Sequence, residues 1–429
     1  MPLDGLAVRI NAAGLDLNGV EHIAPLADHK EIPMKICIAG KNEISVIALN
    51  IVLKRYRHAD ICVCPTQGDD GISGWQPSLV KHAKEYGVEI VNLEDCYEIE
   101  DLVFISVQFD QILRPNRFRT KRLYNIHYSK LPFYKGLSPI IWAILNGEQE
   151  FGVTLHEIDH GIDTGPIIDQ DVFEITDRDT SRDVYLECQQ RGAALLDRNL
   201  DAIVEKSCKS EPQENWPSTY FESYSESPDA YKLNFRKTAF QISCQVRAFS
   251  FREYQVPKLD NFLIGKVIVT SDRSSGRCGV RDKLSQDQLL VSTIDYDCIL
   301  VRDRTEELFG FSDCDDDSLI STLLGAGYSL NTKNGKGWTP LMIACYNGQR
   351  NVVENLLKHG ADPNVANTNG TVPIMYTKER FEIDGDPTVL DLLLKHKADL
   401  HRHDHFGKNV FDYAKQNGQK RFLEQFSGY

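Results

Sequence analysis

Asn125 and His127 stand two residues apart at the end of a strand-like run, YNIH, and Asp163 follows in a turn bounded by Gly161 and Gly165. Strands do not favour asparagine or histidine. The period of two puts both side chains on one face, and the carboxyl end of a strand in an α/β sheet is where ligands sit. The three groups together suit acyl transfer to an amine. An amide N–H can stabilise a carbonyl oxygen as it becomes an oxyanion. An imidazole backed by a carboxylate can take the proton that the amine must lose. Taken singly, Asn125 and His127 read equally as a loop amide and a packed histidine.

Such side chains need a sheet to hold them, and the sequence pattern supplies one. From Met34 the chain alternates strand MKICIAG, helix EISVIALNIVLKRY, strand DICVCP, helix PSLVKHAKEYG and strands VEIVN, LVFISVQF and KRLYNIH. Near-continuous apolar strands between amphipathic helices predict a parallel sheet covered on both faces. Helix SPIIWAILNGE, strand GVTLHEID, the turn HGIDTG, strand PIIDQDVFEI and a long helix starting at TSRDVY complete an α/β, Rossmann-like domain over 34–207. Residues 1–33 lack periodicity and read as an extension without the pattern of a signal peptide. Residues 208–311 read as an aromatic linker followed by a small β-subdomain. The loop Gly40-Lys41-Asn42 lacks the G-x-G-x-x-G spacing, so no NAD is expected. Lys41 and Asn42 read either as a plain turn or as contacts to a substrate phosphate.

The last part repeats. Gly337 and Gly370 are 33 residues apart, as are Leu323 and Leu356, and TPLMIA begins the first full unit. This period resembles ankyrin repeats over 312–429, an all-α module. Thr339 is placed to cap its helix, with Pro340 in the first turn. Trp338, in the adjoining finger, is expected to be exposed and to offer a stacking face to a nucleotide or a surface for a protein partner.

Composition bounds the function. The net charge of -14, with no run of five or six basic residues, disfavours nucleic acid as partner. The 11 cysteines are scattered, and only Cys62 and Cys64 lie close, without finger spacing. No metal is expected, and reduced thiols in the cytoplasm are. No apolar run reaches the length of a membrane span.

The ordered motifs NIH, KLP, GLSP, GEQEFGVT and DHGIDTG resemble the formyltransferase family that uses 10-formyltetrahydrofolate. The resemblance implies that Asn125 donates to the formyl oxygen, His127 handles charge and proton at the reacting centre, and Asp163 orients the histidine. His156 matches a histidine of some members but reads equally as a packed neighbour, and it stays outside the catalytic set. The folate is implied to contact Gln108, Phe109, Asp110, Gln111 and Leu113 in one loop and His160, Gly161 and Ile162 in another. The family formylates methionyl-tRNA, glycinamide ribonucleotide or nucleotide-linked amino sugars. The acidic chain and the segment after the catalytic domain resemble the sugar N-formyltransferases. Some of these carry an ankyrin module and act on dTDP-3-amino-3,6-dideoxyglucose for O-antigen and lipopolysaccharide synthesis. Lys41, Asn42, Lys135, Arg247, Tyr254 and Trp338 are then the expected substrate contacts, and a homodimer is implied. The sequence leaves open dTDP against UDP and the 3-amino against the 4-amino group. It also leaves open a scaffold role with an inactive catalytic domain.

Overall fold

The computed structural model describes residues 34–57, 60–213, 217–222, 232–311, 317–325, 328–334, 337–367, 370–404 and 407–426. The expected extension, 1–33, lies outside them. Strands β1 (Lys35–Gly40), β2 (Ile61–Pro65), β3 (Glu89–Ile90), β4 (Leu102–Val107) and β5 (Leu123–His127) come first. The two-residue β6 (Lys135–Gly136), β7 (Glu150–Glu157) and β8 (Ile167–Glu174) follow. Seven of these form one sheet in the order β3-β2-β1-β4-β5-β7-β8. Pairing is parallel as far as β5 and antiparallel from β5 to β7 and from β7 to β8. The sheet is therefore mixed, and β5 is the strand at the change of direction.

The period of two explains both the apolar strands and the cysteines. Ile36 and Ile38 of β1, Ile61 and Val63 of β2, and Val103 and Ile105 of β4 face one core. They meet helices α1 (Asn42–Leu53), α2 (Leu79–Tyr86), α4 (Pro139–Leu145) and α5 (Ser181–Glu205) there. The intervening Cys37, Cys62, Cys64 and Phe104 face the other core, with Cys96 and Tyr97 of α3 (Leu93–Glu98) and with Phe118. Cysteine serves here as a small apolar side chain. Helix α5 starts at a capping box between Thr180 and Asp183. At its middle a Cβ on Gly192 would stand 3.2 Å from Ile126 and 3.4 Å from Ile44. The missing side chain lets α5 lie close over β5, the strand that bears Asn125 and His127.

After the two-residue β9 (Tyr220–Phe221), which pairs with β6, helix α6 (Ala239–Ala248) packs on a second sheet. That sheet has five strands: β10 (Lys258–Leu259), β11 (Phe262–Arg273), β12 (Arg281–Lys283), β13 (Gln288–Val291) and β14 (Tyr296–Arg302). Ile242, Val246, Ile264, Val291 and Leu300 form its core. The helical module follows: α7 (Asp317–Gly325), α8 (Pro340–Asn347), α9 (Arg350–Lys358), α10 (Ile374–Asp384), α11 (Thr388–Lys395), α12 (Val410–Gln416) and α13 (Lys420–Phe426). Thr339 accepts from Met342 N, with Pro340 in the first turn. A short array cannot bury its own end. Here Leu308 and Phe311 from the β-subdomain enter the repeat core, and Tyr328 Oη donates to Arg302 O at 2.8 Å. Among the described residues no helix is long and apolar enough to cross a membrane.

Candidate active site

Parallel β4 ends beside β5, and antiparallel β7 sets His156 directly opposite Asn125. Residues paired across antiparallel strands share a face, so this register brings the two side chains together. His156 Nδ1 lies 2.7 Å from the Glu157 carbonyl oxygen, so that nitrogen carries the hydrogen. Its Nε2 is then free to accept from Asn125 Nδ2 at 3.1 Å. This contact fixes which way the Asn125 amide faces. The second Asn125 N–H points to Asp163 Oδ1 over 3.5 Å, a weak bond that an incoming oxygen can replace.

His127 Nε2 lies 3.0 Å from the Tyr134 carbonyl oxygen and carries its hydrogen there. Its Nδ1 faces Asp163 Oδ1 at 3.5 Å. Asp163 Oδ2 accepts from Gly136 N at 2.9 Å, and His156 Nε2 stands 3.6 Å from Oδ1. Burial pushes the His127 imidazole below its ordinary value of 6.5, against the pull of the Asp163 carboxylate and the Tyr134 carbonyl. Burial alone would raise the Asp163 carboxyl. The facing imidazoles and the Gly136 N–H outweigh it and hold the group well below the usual carboxylate range. At neutral pH the pair is a neutral imidazole beside a carboxylate.

The turn bearing Asp163 leaves no slack. A Cβ on Gly165 would fall 1.8 Å from Glu157 O, and Gln213 Nε2 donates to the carbonyl oxygens of Asp163 and Gly165 at 3.0 and 2.6 Å. Asp163 itself is left-handed at φ 55°, as are Asn42, Gln108, Tyr134 and Ser138. These make up five of the eight left-handed non-glycine residues reported among the described residues. All five line the cavity or touch a side chain that does.

Asn125, His127, His156 and Asp163 open into a cavity of about 810 Å³. One part of its wall is the loop after β4, Gln108, Phe109, Asp110, Gln111 and Leu113, with Gly161 and Ile162. Another part comprises Ser138, Ser181, Tyr185, Phe251, Tyr254 and Gln255. Lys41 joins the wall and reaches Asp110 at 3.1 Å.

Other expected contacts lie elsewhere. His160 is exposed and outside the cavity lining. Asn42 donates from Nδ2 to Tyr185 Oη at 2.9 Å, one shell behind the wall. Lys135 is buried on the strand position opposite in sense to Gly136, which does line the cavity. Arg247 is also buried. It donates to the carbonyl oxygens of Thr176 and Asp179 at 3.0 and 3.1 Å, so a structural link replaces the expected nucleotide contact. Trp338 is half-buried rather than exposed, because Tyr346 and Tyr376 close on it at ring distances of 5.3 and 4.6 Å.

A family model described as formyl transferase matches residues 67–200, and one described as ankyrin repeats (three copies) matches 311–404. The crystal structure of WlaRD, a sugar 3N-formyl transferase in the presence of dTDP and 5-N-formyl-THF, is 41% identical. The match covers 64% of this chain and 99% of that one, with a TM-score of 0.59. The chain belongs to the sugar N-formyltransferases. A second member of this family, the N-formyltransferase from Helicobacter canadensis in complex with folinic acid and dTDP-3-aminofucose, is 38% identical. It covers 63% of this chain and 100% of its own, with a TM-score of 0.58. The methionyl-tRNA formyltransferase of Synechococcus sp. (strain JA-3-3Ab) is 34% identical over 182 residues, 42% of this chain. This chain spans about half of that relative's length, 54%.

For a sugar N-formyltransferase, the reading by residue type left out two features of this site. His156 stands in direct contact with Asn125, a contact set by cross-strand register. Tyr185, Phe251 and Tyr254 on the wall, with Trp75 packed behind them, bring together three segments of the chain, with ring distances of 4.9 to 6.2 Å.

Proposed function

We propose that the chain moves a formyl group from 10-formyltetrahydrofolate to the amine of a nucleotide-linked amino sugar, with dTDP-3-amino-3,6-dideoxyglucose the favoured acceptor. The observation that carries this reading is the meeting of Asn125, His127 and Asp163 inside one cavity whose wall combines the post-β4 loop with an aromatic cluster. Asn125 Nδ2 exchanges its weak bond to Asp163 for one to the formyl oxygen as that oxygen gains charge. His127 Nδ1 takes the proton released when the amine nitrogen bonds the formyl carbon. The Asp163 carboxylate stabilises the imidazolium that results. Return of that proton to the departing folate nitrogen completes the transfer and regenerates neutral His127. Phe109 and Leu113 give the folate ring an apolar wall, and Tyr254, exposed beside Trp75, gives the base a stacking face.

The domain boundaries follow the same reading: 34–207 for catalysis, 208–311 for linker and β-subdomain, 312–429 for ankyrin repeats. Eight of the ten cysteines among the described residues are buried, as small apolar side chains would be, and we place the enzyme in the cytoplasm. The formylated sugar would then serve O-antigen assembly. We read the enzyme as a homodimer, as the resemblance to the sugar N-formyltransferases implies. Trp338 with the exposed Tyr346 offers an aromatic face for a second nucleotide or a protein partner on the ankyrin module. The test is turnover with 10-formyltetrahydrofolate and a panel of dTDP- and UDP-linked 3- and 4-amino sugars. Release of tetrahydrofolate with one acceptor supports the proposal. No release with any of them overturns it.

A further inference from the structure

The turn from Phe251 to Gln255 carries three residues of the cavity wall, Phe251, Tyr254 and Gln255, yet it belongs to no helix or sheet. Its own backbone bonds close the loop on itself: Phe251 N to Gln255 O at 3.0 Å, Gln255 N to Phe251 O at 2.6 Å and Tyr254 N to Phe251 O at 2.8 Å. Outside groups hold it from three sides. Ser181 Oγ donates to Ser250 O at 3.1 Å. Arg252 Nη2 donates to both Asp303 oxygens at 2.6 Å. Arg182, in the first turn of α5, grips Glu253 with Nε at 2.9 Å from each oxygen and Nη2 at 2.7 Å from Oε1.

The Arg182–Glu253 pair is 11% and 2% exposed. Ion pairs this buried seldom add net stability, because desolvation offsets the attraction. A planar fork does fix geometry. Arg182 Nη2 also donates to the backbone carbonyl of Lys333 at 3.2 Å. Lys333 lies in the finger between α7 and α8, 151 residues further along the chain.

We infer that Arg182 is a positioning residue for the acceptor: holding Glu253 and the Lys333 carbonyl together, it sets the turn that presents Phe251 and Tyr254 and ties the ankyrin module to the support of the acceptor wall. This rests on reading that wall as the nucleotide end of the cavity. Lysine at 182 keeps the charge but cannot form the fork and also reach Lys333. Glutamine at 253 keeps the shape and loses the charge. Either change loosens the turn and leaves Asn125, His127 and Asp163 in place.

The experiment compares the full-length enzyme with Arg182→Lys and Glu253→Gln in turnover with 10-formyltetrahydrofolate and the dTDP-amino sugar, and in calorimetric binding of dTDP alone. The expected result is a rise of about tenfold or more in acceptor KM and in the Kd of dTDP. The folate KM and the saturated kcat should stay within about twofold of wild type. Wild-type acceptor KM and dTDP affinity in both variants would overturn the inference. So would equal increases in both KM values, which would mark a general structural role. Failure of the underlying reading is distinguishable, since the wild-type chain would then neither turn over nor bind dTDP.

Discussion

Replacing Asp163 by asparagine changes little in volume and much in electrostatics. The carboxylate now accepts from Gly136 N at 2.9 Å through Oδ2, and faces His127 Nδ1 at 3.5 Å and Asn125 Nδ2 at 3.5 Å through Oδ1. An amide has one oxygen. Turned toward Gly136, it aims its NH₂ at His127 and Asn125. That group donates to the very lone pair that should receive the proton, so it stabilises the neutral imidazole against the imidazolium. The loss lies between two bounds. Removing a charge-assisted hydrogen bond costs about 1.5 to 3 kcal/mol. Unit charges at this separation with an effective dielectric constant of 20 give an upper bound of about 5 kcal/mol. With about 1.4 kcal/mol per factor of ten, kcat should fall by roughly a hundred- to a thousandfold. The KM values should change little, because the charge develops only during reaction. The assay is steady-state release of tetrahydrofolate at saturating acceptor, with the melting temperature as a check on folding. A folded Asp163→Asn enzyme with kcat within about threefold of wild type would refute the role, and so would a loss confined to KM.

His156→Phe removes the acceptor that fixes the Asn125 amide, so kcat should drop about tenfold with folding retained; unchanged kcat would return His156 to mere packing. Burial raises the Glu43 carboxyl from 4.5 to about 7, only partly opposed by Lys333. The folded state thus holds this proton more tightly than the unfolded one. The associated stability is full below about 4.5 and is lost as pH rises through about 7. Glu43→Gln should therefore melt higher than wild type at pH 8, by the equivalent of about 1 kcal/mol or more, and identical melting curves across pH would contradict this. Leu356→Ala empties a fully buried position in the repeat core and should cost about 2 to 5 kcal/mol. Hydrogen exchange should show the loss concentrated in α8 to α11, and uniform protection would argue against a separable module.

Much of this architecture was legible because local patterns carried it. Strands apolar on both faces signalled a covered sheet, the 33-residue spacing signalled the repeats, and Asn125 and His127 stood out as polar residues ending such a strand. The one reversed strand was less legible, because β7 carries the same kind of residues whichever way it runs. Contacts between distant segments left no local trace. Arg247, at a helix end and basic, looked suited to a pyrophosphate, but the carbonyls of Thr176 and Asp179, about 70 residues away, engage it first. Trp338 looked free because its neighbours in space, Tyr346 and Tyr376, come from the next helices. His156 looked like core packing and is both buried and in contact with Asn125. Burial and function were never exclusive there.

The left-handed residues around the cavity bear on how far the protein can be hardened against heat. Each non-glycine residue in that conformation holds on the order of 1 kcal/mol of backbone strain. At Gln108, Ser138 and Asp163 the side chain or the path of the loop depends on it. The same strain at Lys206, Asp260 and Lys397 serves no such end: Lys206 closes α5, Asp260 turns β10 into β11, and Lys397 follows α11. Glycine at these three positions relieves strain where helix ends and hairpin turns accept it. Thermal endurance and catalytic power are thus written into separate sets of residues. A selection for endurance that ignores the map would relax the cavity first, where most of the strain resides.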